Sequence, residues 1–556
     1  MGFAGTHPAF KLTIRIPMQS AKKIICFSAF FALLLVSFFV HSAEREPDLT
    51  IAIPMRDGTK LPTDIYLSKE NPKDCPVVLV RTPSGKRAFH ESFVPLTESG
   101  YVVAIQDARN SLDRDGKALP WITDGWGELQ DGYDTVEWLS KSPYSNGKVG
   151  TMGFSAMGMT QLLMAPTAPE SLHAQYVGFA ASHMYHHAVY MGGALRKSQV
   201  EGWLGCYASD PSVMKFVTQL GEDSLFWQCG DCLSQAHRVN VPALHYGGWY
   251  DTFSQGTIDA FLAAQKKGKE RAKGKQILVM GPWTHHWPRS LDLGDFKIPS
   301  NGAKPPFEIS AKRWFDFHLK GKTNEFAEIP PVIYYTMGPF DGSGSVGNEW
   351  RTADSWPVPS EPEIYYLGSE NSLSKNKQPE SSAASFRYDP ANPVPTVGGR
   401  NLFIESGPKD QRVIEKRNDV IVFTSEPLNE DLEVTGRIFA KIYFETDKKD
   451  TDVCVRLMDV YPDGKSILVA DGIRRLGTVE GFESGKPVEA EVDLWSTSMI
   501  FAKGHRVRIS VSSSNFPQFD KNLNNGGNPK AAPEVAFNTV HFGEKTPSHI
   551  ILPVVK

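Results

Sequence analysis

The sequence predicts an α/β protein: a sheet with helices on both faces, interrupted by a helical insertion and followed by an all-β sandwich or jelly roll. Three observations carry this. Short continuous apolar runs at 76–80, 101–105, 149–152, 242–246 and 276–280 alternate with segments of helical period, such as Leu129, Tyr133, Val136 and Leu139, or Phe253, Ile258, Phe261 and Leu262. Buried parallel strands separated by amphipathic helices have this texture. Between about 166 and 240 the strand signal lapses into a segment rich in Ala, His, Met, Trp and Cys. Beyond Pro330, short alternating segments such as 332–335, 420–423, 437–444, 453–460 and 505–512 are separated by turn signals like Tyr461-Pro462-Asp463-Gly464 and Asn524-Asn525-Gly526-Gly527.

The first element in the chain is a leader. Lys22 and Lys23 precede an apolar run from Ile24 to Val40, then come Ser42-Ala43 and polar Glu44-Arg45-Glu46, the order of a signal peptide over residues 1–43. The run is short for a membrane span of about 20 residues, so the expectation is a secreted or periplasmic protein with no stable span once the leader is removed. Five of the six cysteines then remain: Cys75, Cys206, Cys229, Cys232 and Cys454. An odd number in an oxidising compartment leaves at least one unpaired. Cys229-Gly230-Asp231-Cys232 has metal or redox spacing, but zinc needs four ligands and no second such pair occurs. A disulfide among Cys206, Cys229 and Cys232 is the expectation, with no metal.

From Leu49 an alternating strand, the turn Arg56-Asp57-Gly58 and a second strand to Leu67 read as a hairpin. The α/β unit occupies 44–165 and 241–328, with the insertion at 166–240 between its halves. The basic run 266–271 closes a helical pattern and reads as a solvated helix end. A Pro/Gly-containing stretch follows around 288–310, then a helix at 312–319. The β-rich region covers 329–556, with 375–385 as an exposed loop.

At roughly 150 residues per domain, 556 residues make about three or four structural units. Hydrophobic residues at 41% and charged residues at 22% are globular values, which excludes disorder, collagen and coiled coil as global classes. The formal charge is -4, and residues 1–43 carry four basic residues (Lys11, Arg15, Lys22, Lys23) and no acidic one, so the remainder is more acidic still. Clustered Lys and Arg are what hold phosphate. Nucleic acid and anionic membrane are set aside as partners, and a homo-oligomer is compatible with the composition.

Chemistry enters at Val149-Gly150-Thr151-Met152-Gly153-Phe154-Ser155-Ala156-Met157-Gly158, where Ser155 falls between the end of an apolar strand and a helical pattern from Ala156 to Ala165. This is the setting of a nucleophile elbow, in which small residues permit a tight turn that leaves the serine Oγ exposed at the sheet edge near a helix N-terminus. The spacing is GxSxxG, so the motif alone is equally a plain strand-to-helix turn. Chain order adds weight: the acid and histidine of such an enzyme follow the serine, each just past a strand. Leu244-His245-Tyr246-Gly247-Gly248-Trp249-Tyr250-Asp251 supplies the carboxylate, and Val279-Met280-Gly281-Pro282-Trp283-Thr284-His285 the imidazole.

These segments, with Met55-Arg56-Asp57-Gly58, Arg81-Thr82-Pro83, Asp107-Ala108-Arg109, the run Asp131 to Leu139, Trp314-Phe315-Asp316, Asp452, Asp459 to Gly464 and Ser512 to Pro517, make a chain that resembles the CocE/NonD family of α/β hydrolases. That family includes cocaine esterase, α-amino acid ester hydrolases, glutaryl-type cephalosporin acylases and Xaa-Pro dipeptidyl-peptidases. The resemblance covers essentially everything after the leader. It implies an α/β-hydrolase domain with an inserted helical cap, followed by a C-terminal all-β jelly roll. It implies Ser155 as nucleophile, His285 as general base, with His286 the competing choice, and Asp251 as the carboxylate that orients it. The backbone N–H of Ala156 is implied as an oxyanion donor, with no cofactor. Asp107, Arg109 and Asp134 belong to the motifs but read as ties between loops.

Two positions depart from the family pattern. Ala156 stands where Tyr commonly follows the nucleophile, a mild change because the backbone N–H does the work. Ser84 stands where Tyr commonly follows Arg-(Thr/Ser)-Pro and donates to the oxyanion, and one such donor is worth about 3 kcal/mol. The expected activity is cleavage of a small-molecule ester or amide. The rival within the class is an Xaa-Pro dipeptidyl-peptidase, with Glu222 and Asp223 as carboxylates for a substrate ammonium. The rival from another class is a binding protein that acts through its jelly roll.

Overall fold

Residues 45–109, 122–207, 212–285, 291–340, 346–528 and 530–556 are described by the computed structural model, and Pro47–Lys556 cluster as one compact unit. The hairpin forms where the alternation places it: β1 (Leu49–Pro54) and β2 (Lys60–Tyr66) pair antiparallel, Leu49 opposite Ile65 and Pro54 opposite Lys60. β2 then pairs antiparallel with β4 (Val102–Asp107). From β4 the sheet runs parallel through β3 (Cys75–Thr82), β5 (Ser145–Phe154), β6 (Leu172–Gly178), β7 (Ala243–Gly248), β8 (Ile277–Gly281) and β9 (Val332–Thr336). An antiparallel edge strand, β10 (Glu349–Ala353), ends it. The spatial order is β1-β2-β4-β3-β5-β6-β7-β8-β9-β10. β3, β4, β7, β8 and β9 are buried along their whole length, as continuous apolar runs covered on both faces must be.

The longer described helices of the α/β unit are α1 (Asp131–Ser140), α2 (Ala156–Met164), then, beyond the insertion, α6 (Ser254–Lys267) and α7 (Ala311–Lys320). The insertion contributes α3 (Lys197–Tyr207), α4 (Ser212–Gln219) and α5 (Leu225–Cys229). Ser310 starts α7 by accepting a hydrogen bond from the Arg313 N–H, an ordinary N-cap. Among the described residues no helix is long and apolar enough to cross a membrane.

Two boundaries differ from the sequence expectation. Residues 172–178, assigned to the insertion, form β6 in the middle of the sheet. Polar His173 and Gln175 interrupt the apolar run, yet Gln175 is buried and satisfied, its Nε2 donating to Gln161 O at 3.0 Å and to Thr151 Oγ1 at 3.4 Å. The insertion proper therefore begins after Gly178. Likewise β9 and β10, assigned to the C-terminal β region, extend the central sheet. An isolated segment of β pattern does not say which sheet it joins. The exposed loop expected at 375–385 ends instead in a strand, Ser382–Tyr388.

Beyond β10 the chain forms two sheets with antiparallel pairings. One has seven strands, with Leu432–Thr446 paired to Val488–Phe501, His549–Val555 and Ala536–Phe542. The other has four, in the order Ile421–Thr424, Arg506–Ser512, Asp452–Val460, Ser466–Arg475. Phe423 of the smaller sheet meets Phe542 of the larger edge-on, centroids 5.7 Å apart, within an apolar core that also takes in the β8–β9 region.

Candidate active site

Ser155 sits between β5 and α2 with φ 57° and ψ -126°, a conformation that costs a non-glycine residue energy and persists only where its surroundings enforce it. They do so here by close approach. A Cβ on Gly153 would lie 2.4 Å from Met157 Cβ, and one on Gly158 would lie 2.8 Å from both Ala180 Cβ and Gly178 O. Ser155 N donates to Gly178 O at 2.9 Å, locking the turn to the end of β6. Ala156 is the first residue of α2, so its N–H has no intrahelical acceptor.

Asp251 follows β7 and His285 follows β8. The two loops are bound to one another, Trp249 N donating to Gly281 O at 2.9 Å and Tyr250 N to Trp283 O at 3.0 Å. Trp283 stacks on Tyr246 with centroids 5.2 Å apart and an interplanar angle of 7°. The framework brings the three predicted residues together: His285 Nε2 is 2.9 Å from Ser155 Oγ, and His285 Nδ1 is 2.6 Å from Asp251 Oδ1. Asp251 is fully buried, and its Oδ2 accepts from Phe253 N at 3.1 Å. A carboxylate on Nδ1 fixes the proton there and leaves the Nε2 lone pair for the serine hydroxyl. His286 lies outside the described residues.

Phe179 and Phe253 stand edge-on to His285, at 6.0 Å and 5.2 Å between centroids, and Trp203 of α3 stacks on Phe253 at 5.7 Å. These aromatic walls were not read from the sequence. Phe179 in particular has φ 49°, a left-handed position that falls on the aromatic residue and not on the neighbouring Gly178. Its N–H donates to Tyr246 O at 2.6 Å, which holds it there.

Ser84 is half-buried in the loop after β3. Its N–H donates to Thr82 Oγ1 at 3.1 Å, and Lys86 N donates to Asp107 Oδ1 at 2.6 Å, so Asp107 fixes this loop. Arg109 bridges Asp57 and Asp131 at 2.8 Å and 2.7 Å, and Arg56 pairs with Asp134 at 2.8 Å; these are loop ties.

Other sequence candidates do not assemble. The disulfide expected among Cys206, Cys229 and Cys232 is absent: all three are free thiols, Cys206 exposed, Cys229 partly buried and Cys232 buried. Cys229 Sγ points at Gly127, where an added Cβ would lie 2.7 Å away, while Cys232 packs in the apolar cluster around Trp227. Burial pushes both thiols above their ordinary pKa. Glu222 pairs with His186 at 2.7 Å, and both Glu222 and Asp223 are exposed. Among the described residues no group of three or more His, Cys, Asp or Glu side chains is arranged to hold a metal ion.

Comparison with known proteins bears on this geometry. The family described as X-Pro dipeptidyl-peptidase (S15 family) matches residues 57–210 and 202–287, and the X-Pro dipeptidyl-peptidase C-terminal non-catalytic domain matches 324–551. Cocaine esterase of Rhodococcus sp. (strain MB1 Bresler) is 31% identical over 584 residues, covering 91% of this chain and 98% of the relative. Among solved structures, an α-amino acid ester hydrolase superposes with a TM-score of 0.77 at 25% identity, covering 97% of this chain and all of that one. A CocE/NonD family hydrolase from Staphylococcus aureus does so with a TM-score of 0.70 at 21% identity, covering 92% and 93%. With a cocaine esterase relative at that identity and coverage, two S15-type matches in tandem, and an α/β unit followed by a β-rich region, the chain belongs to the CocE/NonD family of serine hydrolases.

Proposed function

We propose that the protein is an exported hydrolase that cleaves a small-molecule ester or amide through an acyl-enzyme on Ser155. The observation that carries this reading is the unbroken chain from Ser155 Oγ through His285 to buried Asp251, at 2.9 Å and 2.6 Å. As Ser155 Oγ attacks the carbonyl carbon, His285 Nε2 takes its proton, and Asp251 stabilises the imidazolium that forms. The Ala156 N–H, at the positive end of α2, donates to the oxyanion. His285 returns the proton to the leaving group, and a water deprotonated by the same nitrogen releases the acid. The helices after Gly178 act as a cap over the site, and the two C-terminal sheets form a jelly roll.

The family names point both ways, to esters in cocaine esterase and to Xaa-Pro peptides in the S15 description. A panel of 4-nitrophenyl esters, amino acid amides and Xaa-Pro anilides separates them. The expected result is turnover of esters well above Xaa-Pro anilides, because Glu222 is engaged by His186 and exposed. Preferential release from Xaa-Pro anilides would establish the peptidase reading instead.

Two further outcomes follow from this reading. Ser84→Ala leaves kcat within a few-fold, since a serine hydroxyl falls about one ring length short of a phenol at that position, and Ser84→Tyr raises esterase activity where the ring fits. A loss of about 10²-fold in kcat for Ser84→Ala would make Ser84 the second oxyanion donor. Export predicts a processed protein whose N-terminal sequence begins near Ala43 or Glu44. Retention of residues 18–40 in the released protein would favour an anchor.

A further inference from the structure

Arg196 lies between the short hairpin strand Ala194–Leu195 and α3, and it is 2% exposed. A buried guanidinium is expected to meet a carboxylate, yet among the described residues no acid lies in ion-pair range of this one. Two of its four hydrogen bonds go instead to the residue that follows the buried acid of the site. Nη1 donates to Thr252 O at 3.0 Å and to His187 O at 2.6 Å, and Nη2 donates to Thr252 Oγ1 at 2.7 Å and to Arg400 O at 3.5 Å. Thr252 Oγ1 in turn donates to Gln199 Oε1 of α3. The guanidinium also lies over the Trp495 ring at 5.3 Å, and Arg400 lies over the same ring at 5.6 Å while donating to Leu494 O at 2.6 Å. Trp495 is in a positive-φ conformation, 62°, beside the register shift where Leu432–Thr446 pairs with Val488–Phe501.

Three parts of the chain therefore meet at the Arg196 guanidinium: the insertion, which supplies Arg196 itself, the α/β unit through Thr252, and the C-terminal region through Arg400 and Trp495. Asp251 itself keeps both carboxylate oxygens for His285 and Phe253 N. Burial pushes the Arg196 pKa down to about 10, and Asp251 is the first of the charges opposing that shift, without a direct contact.

Building on the Ser155–His285–Asp251 assignment, we propose that Arg196 is a positioning residue for the reaction: by donating to both the carbonyl and the hydroxyl of Thr252 from its place over the Trp495 ring, it fixes the Asp251 carboxylate in line with His285. Its effect then passes through Asp251 and belongs to the chemical step rather than to substrate binding.

A double-mutant cycle tests this with 4-nitrophenyl butyrate as substrate. Arg196→Met and the near-isosteric Thr252→Val are each made in the wild-type and in the Asp251→Asn background, and kcat and KM are measured separately. The expected result is a fall in kcat of about 10- to 100-fold for Arg196→Met or Thr252→Val, with KM within about 2-fold, shrinking to 3-fold or less when Asp251 is already Asn. Arg196→Lys, which keeps the charge but not the fork, recovers part of the loss. Equal losses in both backgrounds, or a loss confined to KM, would reduce Arg196 to a structural staple and overturn the proposal. Should Arg196→Met not fold, Thr252→Val decides alone, and unchanged kcat in folded Thr252→Val overturns the proposal. An Asp251→Asn variant with unchanged kcat is a different failure: it removes the triad assignment, and the role of Arg196 with it.

Discussion

Ser155→Ala lowers kcat for ester hydrolysis by on the order of 10⁴- to 10⁶-fold and leaves the fold intact. The change deletes one oxygen. Alanine inherits the φ 57° conformation of Ser155, because the Gly178 carbonyl and the neighbouring small residues that enforce it are untouched. Thermal unfolding should therefore keep its midpoint while turnover collapses. On the proposed mechanism, what remains over the uncatalysed reaction comes from the Ala156 N–H and from substrate binding, which the substitution does not remove. Steady-state kinetics beside a melting curve separate the two effects.

Asp251→Asn costs about 10⁴-fold in kcat with little change in KM. The buried carboxylate accepts the Nδ1 proton of His285 at 2.6 Å. An amide can turn its NH₂ toward Nδ1 and trap the other tautomer, with the proton on Nε2, where the ring cannot accept from Ser155 Oγ at 2.9 Å. The loss is one of base function, so activity toward esters with good leaving groups stays low at neutral pH while binding is preserved. A variant that kept kcat would place the orienting carboxylate elsewhere. Because Asp251 is fully buried among its partners, circular dichroism and melting on the same sample exclude misfolding as the cause.

Much of the candidate site was legible because each component follows a strand with an apolar stretch, and chain order adds what the serine motif alone lacks. β5 holds the apolar run 149–152 and β7 and β8 are largely apolar, and Ser155, Asp251 and His285 stand within four residues of their ends in the order the topology demands. The hairpin β1–β2 was equally plain from alternation and a turn. β6 was hidden because buried Gln175 finds its partners on α2 and β5, contacts that no local pattern records. β9 has the local pattern of a strand, but which sheet it joins is set by its pairing with β8, a long-range fact. The cysteines misled through spacing: Cys229 and Cys232 are close in sequence, yet one thiol faces Gly127 and the other an apolar cluster. Phe179, Thr252 and Arg196 carried no sequence signal, because their importance lies in what meets them from remote parts of the chain.

Mass-spectrometric mapping of the protein after reaction with a fluorophosphonate decides whether Ser155 is the nucleophile. Attack on phosphorus requires a serine activated by a neighbouring base, so the reagent reports the chemistry rather than the fold. A single stoichiometric adduct is expected on the peptide containing Ser155, lost in Ser155→Ala and slowed in Asp251→Asn. An adduct on another residue, or full esterase activity in a protein that takes up no reagent, would contradict that assignment.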